Sequence, residues 1–511
     1  PDGEIRIYLP GGKLDWQASL GPLGLDAAGL RSVLETLACT VHEQSAPEQD
    51  TTRFGVGELL TVLFRAQCKV LVHDVPDYLA RHVGLLTSPM AEEFYFTHRS
   101  FQEHLAACEL ICAAPDEHLP PVAAERRFPD GLVRRTLAQP ALWANVARLA
   151  VDELMAHDRQ RDGGSVLAAL CRPYVTQQAG PEAALLALEI AAEHKIFHGD
   201  SDELEIRRQD FAALQAAAVA AVADPGNFAP PQRLLAGNLL GARPGLDPRP
   251  GVNVRKDNGL PDLAWIKIPA CDAQGQHTFF YHDGERDVRR DSPPDFWIAR
   301  YPVTYAQFQA FVDDPEGYRN PRWREGLADY FGETQTRWEQ RWPIANRPRE
   351  NVTWPEAVVF CRWLTAQART HPTLLPDADM LPRLEQGWSI RLPTEVEWVK
   401  AARGWDDRRY PWGPAYQSGR ANVDETENKN GPYNLGETAP AGMYPHGASP
   451  FGVEEMSGGV WEYCLNKYDN PNDADLSGDD QRATRGGSWY WSAQDSSVAA
   501  RGGDVGLSLG L

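Results

Sequence analysis

Clustered cysteine, long apolar runs and basic charge are all scarce in this chain of 511 residues. The eight cysteines (Cys39, Cys68, Cys108, Cys112, Cys171, Cys271, Cys361, Cys464) are scattered with no C-x-x-C pair, so no disulfide framework is expected and the thiols read as reduced. His104, Cys108 and Cys112 recur at helical spacing, which offers metal ligands on one face. In an Ala-rich segment the same spacing describes a packed apolar face, and that is the reading adopted. The run around Leu214 to Val222 falls short of the ~20 apolar residues a membrane span needs, and no signal-peptide pattern opens the chain. A cytoplasmic protein with no membrane partner is expected. Acidic residues number 71 against 50 basic ones, a formal charge of -21 that repels phosphate backbones, so nucleic acid is not an expected partner. No G-x-x-x-x-G-K-[ST] loop occurs; the nearest string, Gly11 to Leu14, lacks the first glycine and the magnesium-binding hydroxyl. The first residue is Pro1 and not Met, which suggests a piece of a longer protein, and any ATPase chemistry would lie upstream of it.

What is present changes character along the chain. Only Trp16 and Trp143 of the 16 tryptophans precede Leu263, so two architectures are joined, and a prior of ~150 residues per domain suggests about three domains. Before the change, Leu30, Val33, Leu34, Leu37, Ala38 and Val41 step by three and four, as do Trp143, Val146, Ala147, Ala150, Val151 and Leu154. The N-terminal part is therefore expected to be all-α. Residues 1–115 form a winged-helix and helical region, with strands at Gly84 to Leu86 and Phe94 to Thr97 between helices; residues 116–222 form a helical bundle. Residues 223–262, rich in Pro and Gly, read as a linker. The string FTHRSFQEHLAA resembles the segment that follows the nucleotide-binding core of NACHT-type signalling ATPases. That resemblance implies contacts from His98, Arg99 and Gln102 to a nucleotide or a neighbouring domain; the residues themselves favour a buried polar bridge between wing and helix.

From residue 263 to 511, three capping boxes mark helix starts: Thr304 with Gln307, Thr353 with Glu356, and Thr394 with Glu397. The Trp-, Gly- and Asn-rich stretches between them are too irregular for long strands, which gives an α+β domain with a small sheet. Six ordered strings then carry a resemblance: FWIARYPVTYAQFQAFV, NVTWPEAVVFCRWL, IRLPTEVEWVKAARG, YPWG, GGVWEYC and RGGSW. In this order they resemble the formylglycine-generating-enzyme (sulfatase-modifying factor) family, which implies a C-type-lectin-like fold for residues 263–511.

The family's oxidases bind copper through a pair of cysteine thiolates near the C-terminus, as soft Cu(I) requires. Here the last cysteine is Cys464, and the related iron-dependent sulfoxide synthases' H-x-x-x-H-x-E cluster is absent. The expectation is thus a domain that is not an enzyme, with no required cofactor. The resemblance leaves room for a structural calcium ion, at positions corresponding to Asn422 and Val423 and to Gly458, Val460 and Glu462, where hard oxygen ligands gather. For Glu462 a buried carboxylate paired with Arg485 or a backbone amide is the equal alternative. The acidic run Asp473-x-Asp475-x-Ser477-Gly478 imitates an EF-hand but has Thr484 at the twelfth position, so it reads as a solvated turn. The EPN, QPD and WND strings of sugar-binding C-type lectins do not occur.

A narrower resemblance lies in Leu465 to Ser492 and the residues after it, which look like the variable proteins of diversity-generating retroelements, some fused to NACHT-type ATPases. It implies a scaffold (Arg485, Gly486, Gly487, Ser488, Trp489) within a variable region, residues 485–511. It also implies diversified, ligand-binding positions at Tyr490, Trp491, Ser492, Gln494, Asp495, Ser497, Gly502, Gly503 and Asp504. Leu507 and Ser508 depart from the family's terminal Gly-Phe-Arg. The expected function is recognition of a protein or other macromolecular ligand at this face, coupled to an upstream signalling ATPase. A formylglycine-generating-type oxidase or related enzyme and a non-diversified docking module remain open alternatives.

Overall fold

The computed structural model describes residues 8–9, 13–14, 27–45, 53–65, 86–90, 93–111, 128–177, 180–199, 206–282, 287–327, 340–377 and 380–504. The chain divides into two compact units, Pro1–Ala217 and Ala218–Leu511. Cys68 and Cys112, the helix expected before Gly84, and the tail with Leu507 and Ser508 fall outside the described residues.

In the first unit a short pair, β1 (Tyr8–Leu9) with β2 (Lys13–Leu14), precedes helix α1 (Ala27–Gln44). The stepping apolar residues of α1 are all buried, and they pack against α3 (Arg99–Ile111). Between these helices lie β3 (Arg53–Gly55), α2 (Val56–Arg65), β4 (Leu86–Met90) and β5 (Glu93–Phe96), the strands forming an antiparallel sheet with β5 central. The second expected strand and the helix after it fall near the expected positions, whereas the first, expected at Gly84 to Leu86, shares only Leu86 with the observed strand. In α3, Glu103 accepts from Arg99 at 2.9 Å and Asn145 at 3.5 Å, while both polar atoms of the buried Gln102 amide lack a partner. Glu103 therefore reaches a neighbouring helix, and Gln102 bridges nothing among the described residues. Cys108 is buried with its Sγ 3.7 Å from His104 Nε2, and no cluster of three or more metal-ligating side chains occurs among the described residues.

The rest of this unit is helical: α4 (Asp130–Ala138), α5 (Pro140–Ala156), α6 (Gln160–Val175), α7 (Pro181–Glu193) and the start of α8 (Arg208–Val222). The helices α5, α6 and α7 pack on one another through Ala, Leu and Val stripes, as their period requires. Among the described residues no helix is long and apolar enough to cross a membrane.

The second unit corrects the expected linker. Residues 230–240 form helix α9 (Pro230–Leu240), where the prolines occupy the first turn and so lose no helical hydrogen bond. Its Arg233 is buried, donates to the Met443 carbonyl and stacks 5.2 Å from the Tyr444 ring. Farther along, Asn346 Nδ2 donates to the carbonyl of Gly237 at 2.9 Å and to Asp247 at 2.8 Å. Turn-rich composition here marks an irregular path that is packed into the domain, because its polar groups find buried partners.

The domain itself is α+β with short elements. Two ribbons pair β6 (Trp265–Ile268) with β9 (Phe296–Ala299) and β7 (Thr278–His282) with β8 (Asp287–Asp291). Helices α10 (Tyr305–Asp313), α11 (Trp354–Thr370), α12 (Met380–Glu385) and α13 (Glu395–Arg403) follow. Each expected capping box forms: the threonine accepts from the third backbone N–H at 3.3–3.4 Å and its own N–H donates back to Gln307, Glu356 or Glu397 at 2.7–2.9 Å. One core gathers Phe308, Phe311, Phe360 and Trp363; a second gathers Phe279, Trp398, Met456 and Cys464. Against the second lies an antiparallel sheet of β10 (Glu462–Lys467), β11 (Arg482–Arg485) and β12 (Arg501–Asp504), with β11 central.

Candidate functional site

The central strand ends in an ion-paired anchor. Arg485, fully buried, donates from Nε to Glu395 Oε1 at 2.8 Å and from Nη1 to the Ala499 and Ala500 carbonyls at 3.2 and 3.3 Å. Arg501 on β12 adds a second guanidinium to Glu395, with Nη2 at 3.2 Å. Both carboxylate oxygens are thus held by cations, and because Glu395 and Arg485 are closed off from water an unpaired charge there would be costly. The chain then turns through Gly486 and Gly487, both in the left-handed region (φ 93° and 78°). A Cβ on Gly487 would lie 2.8 Å from Ser496 Cα, so this pair of glycines serves both conformation and close approach.

Beyond the anchor the backbone closes a turn, with Trp491 N–H donating to the Ser488 carbonyl at 3.1 Å. Tyr490 and Trp491 project from it, 62% and 41% exposed. Four rings follow one another edge to face: Trp342 to Trp489 at 5.4 Å, Trp489 to Tyr490 at 5.8 Å, and Tyr490 to Trp491 at 6.2 Å. Arg341 stacks on this ladder, 4.6 Å from the Trp342 ring and 5.8 Å from that of Trp489. Trp489 is half-buried and belongs to the ladder as well as to the scaffold. On the far side, the Asp424 N–H donates to the Trp491 carbonyl at 3.0 Å, and Gln494 Oε1 accepts from Asn430 at 3.0 Å and Asn428 at 3.3 Å. The face is therefore aromatic and amide-lined, with Asp424, Glu427 and Asp495 as carboxylates and Lys429 as a cation in the adjoining loop and turn.

The structure divides the expected variable positions. Tyr490, Trp491, Gln494 and Asp495 are exposed. Ser492 and Ser497 are buried, and the Ser492 hydroxyl donates to Asp495 at 2.6 Å, so these two cannot display a side chain. Gly502 and Gly503 lie in β12, where a Cβ would meet Thr484 Oγ1 at 2.6 Å or Tyr468 Cγ at 2.7 Å; they read as close-packed strand positions and not as display positions. Asp504 pairs with Arg482 in backbone register. Trp342, Arg341, Asn428 and Asn430 escaped the sequence reading because loops far apart in the chain bring them here, and no local pattern marks them.

The residues considered for calcium are placed close together but engage one another. The Asn422 carbonyl accepts from Gly459 N–H at 2.8 Å, and its side chain donates to the Glu437 carbonyl at 2.9 Å. Val423 is buried beside Gly458, which bridges to Asn422. Glu462 does not pair with Arg485; its Oε2 accepts from the Trp398 indole at 2.8 Å, and burial pushes the carboxyl up to about 7 despite that hydrogen bond. Asn422 and Val460 line one small cavity together with Ser457 and Gly459. The Asp473 loop is closed by Lys467, 3.0 Å from Asp473 and 2.7 Å from Asp480, as befits a solvated turn.

Residues 264–507 match the Sulfatase-modifying factor enzyme 1-like domain. The hercynine oxygenase of Mycobacterium tuberculosis is 34% identical over 247 residues, covering 40% of this chain and 48% of that protein. The chain thus spans about half the length of the hercynine oxygenases it matches. The formylglycine-generating enzyme of the same organism is 31% identical over 248 residues, covering 40% of this chain and 74% of that enzyme. Among solved structures, Treponema denticola variable protein 1 aligns with a TM-score of 0.31 at 20% identity, covering 48% of this chain and 91% of that one. The expectation that the chain is not an enzyme is corrected by these relatives, since the proteins sharing its domain are named as an oxygenase and as a formylglycine-generating enzyme. Missing thiolates speak against one metal chemistry and leave others untouched.

Proposed function

The chain belongs to the formylglycine-generating-enzyme family, and from that premise we propose that its C-terminal domain recognises a macromolecular ligand through the turn Trp489–Asp495. The observation that carries this is the contrast in burial between a fully buried Arg485–Glu395 anchor and two large exposed rings six residues or fewer beyond it. Exposed Tyr and Trp on a rigid turn offer large contact area at low entropy cost. The sequence resemblance to retroelement variable proteins supports a finer reading, in which Tyr490, Trp491, Gln494 and Asp495 are the positions that vary and an upstream ATPase reads out binding. A calcium ion, if bound, would act on stability and not at this face.

A library randomised at those four positions, displayed and challenged with protease, tests the reading. Most members are expected to remain folded, and selection against an arbitrary protein target is expected to yield binders. Widespread unfolding would overturn it, as would the absence of a nearby reverse transcriptase gene and adenine-differing template for the finer claim. The similarity to hercynine oxygenases favours a second reading, an oxygenase or oxidase working in the same domain. Oxygen uptake by the purified protein with thiol-bearing substrates, lost on changing the face residues, would support that reading instead.

A further inference from the structure

A second exposed aromatic group lies on α12, away from the turn Trp489–Asp495 in sequence and in the elements that build it. Met380 and Leu384 seat this short helix on the core of Phe308, Phe360 and Trp363, which leaves Arg383 on its outer side. Past the helix end the chain reverses: the N–H groups of Gln386 and Trp388 both donate to the Arg383 carbonyl, at 3.1 and 3.0 Å, and Gly387 takes a φ of 98° to permit it. The reversal brings the Trp388 ring back over the arginine that precedes it. Arg383 Cζ then lies 4.9 Å from the Trp388 ring and 5.6 Å from that of Trp297 on β9, so the guanidinium is flanked by two indoles 6.4 Å apart. Lys267 stacks on Trp297 at 5.4 Å, and its ammonium is already paired with Asp295 at 2.8 Å.

Arg383 has no such partner. Among the described residues no hydrogen bond or ion pair satisfies its guanidinium; Asp295, held at 2.8 Å by Lys267, acts on it only through its field. Ring stacking fixes the plane of a guanidinium while leaving its edge N–H groups free, and that edge matches a carboxylate in bidentate fashion. Trp388, 41% exposed, supplies an apolar wall beside it. Lys267 and Arg383 share the single carboxylate Asp295, so the group carries one net positive charge, which suits a monoanion better than a dianionic phosphate; the acidic chain as a whole also disfavours polyanions. We propose that Arg383, Trp388 and Trp297 form a binding site for a peptide carboxylate flanked by an apolar side chain, separate from the proposed display turn and independent of it.

The test uses the full chain and a small probe, acetyl-Leu-Phe with a free C-terminal carboxylate, beside its C-terminal amide and phenyl phosphate, with binding followed by calorimetry. The carboxylate is expected to bind saturably and the amide about tenfold more weakly. Arg383→Gln is expected to lose about tenfold, Arg383→Lys to recover only part of that because the fork is lost, and Trp388→Ala to weaken both acid and amide. All three substitutions are at exposed or half-exposed positions, so an unchanged melting temperature separates loss of the site from loss of the fold. Equal binding of acid and amide, an Arg383→Gln protein that binds as the parent does, no saturable binding by the parent, or tighter binding of phenyl phosphate would each overturn the assignment.

Discussion

The run Arg485–Ser488 and the turn Trp489–Asp495 follow one another without a break, yet they obey opposite rules. In the first, every side chain is buried, the one charge is neutralised by Glu395, and two glycines sit where a Cβ would collide or strain. In the second, two rings and two polar side chains face outward while the backbone is held by its own N–H and carbonyl groups. A turn can be indifferent to its outward side chains when its conformation is set by main-chain bonds and by the residues behind it.

The comparison breaks most severely at Glu395. Glu395→Ala would leave Arg485 and the inner edge of Arg501 buried without a counter-charge, an outcome that typically costs ~3–5 kcal/mol. Chemical denaturation of the purified protein should register a loss of this size. A loss under about 1 kcal/mol would mean that the anchor is not what holds the turn.

Next comes Lys400, buried among Phe279, Trp405 and Phe451, where among the described residues only the Gly404 carbonyl, at 3.4 Å, is a hydrogen-bond partner. Burial lowers its amine to about 7. Between that value and its ordinary value in the unfolded chain, near 10.5, the unfolded state binds more protons, so this group makes the fold more stable as pH rises through that window. Lys400→Met should raise the melting temperature, by more at about pH 6 than at about pH 10. Glu462 has the opposite sign: its raised carboxyl makes the fold less stable as pH climbs from the ordinary value of 4.5 toward about 7, and Glu462→Gln should remove that slope. Equal gains for Lys400→Met at both pH values would show that its charge is not the cause.

The three capping boxes and the buried stripe of α1 are local patterns, set within four residues, and the structure repeats them. The fold of residues 264–507 was legible through ordered strings more than through periodicity, since its strands are only four to six residues long. The partner of Arg485 was not: Glu395 lies 90 residues away and only the packing of α13 on β11 brings it in. Nor was the role of residues 223–262, because Pro and Gly report the local chain path and say nothing of Arg233, which finds its acceptor at Met443. The display positions implied by the resemblance were too broad for a related reason, as a shared sequence string does not tell that Ser492 turns inward to Asp495.

A smaller effect is expected at Trp489, whose half-buried ring lies between those of Trp342 and Tyr490. Trp489→Ala removes both edge-to-face contacts and the stacking of Arg341, for a loss of about 1–2 kcal/mol. That is less than a fully buried indole would forfeit, so this residue sharpens the boundary between anchor and turn. A loss matching that of Glu395→Ala would move Trp489 wholly into the scaffold.

The smallest stability change belongs to the two exposed rings. Tyr490 and Trp491 touch each other and their ladder neighbours but fill no cavity, and the Trp491 backbone keeps its bonds to Ser488 and Asp424 whatever its side chain. Truncating either to alanine should therefore change unfolding free energy by no more than about 0.5 kcal/mol. Against any ligand selected on this face, the same truncation should cost about thirtyfold in affinity, or ~2 kcal/mol, because large rings at the centre of an interface carry most of its energy. Melting curves and binding isotherms of the two variants, measured side by side, check both halves. If Trp491→Ala unfolds the domain, the ring is part of the core and the turn is not a display surface; if it leaves both stability and binding untouched, recognition lies elsewhere on the domain.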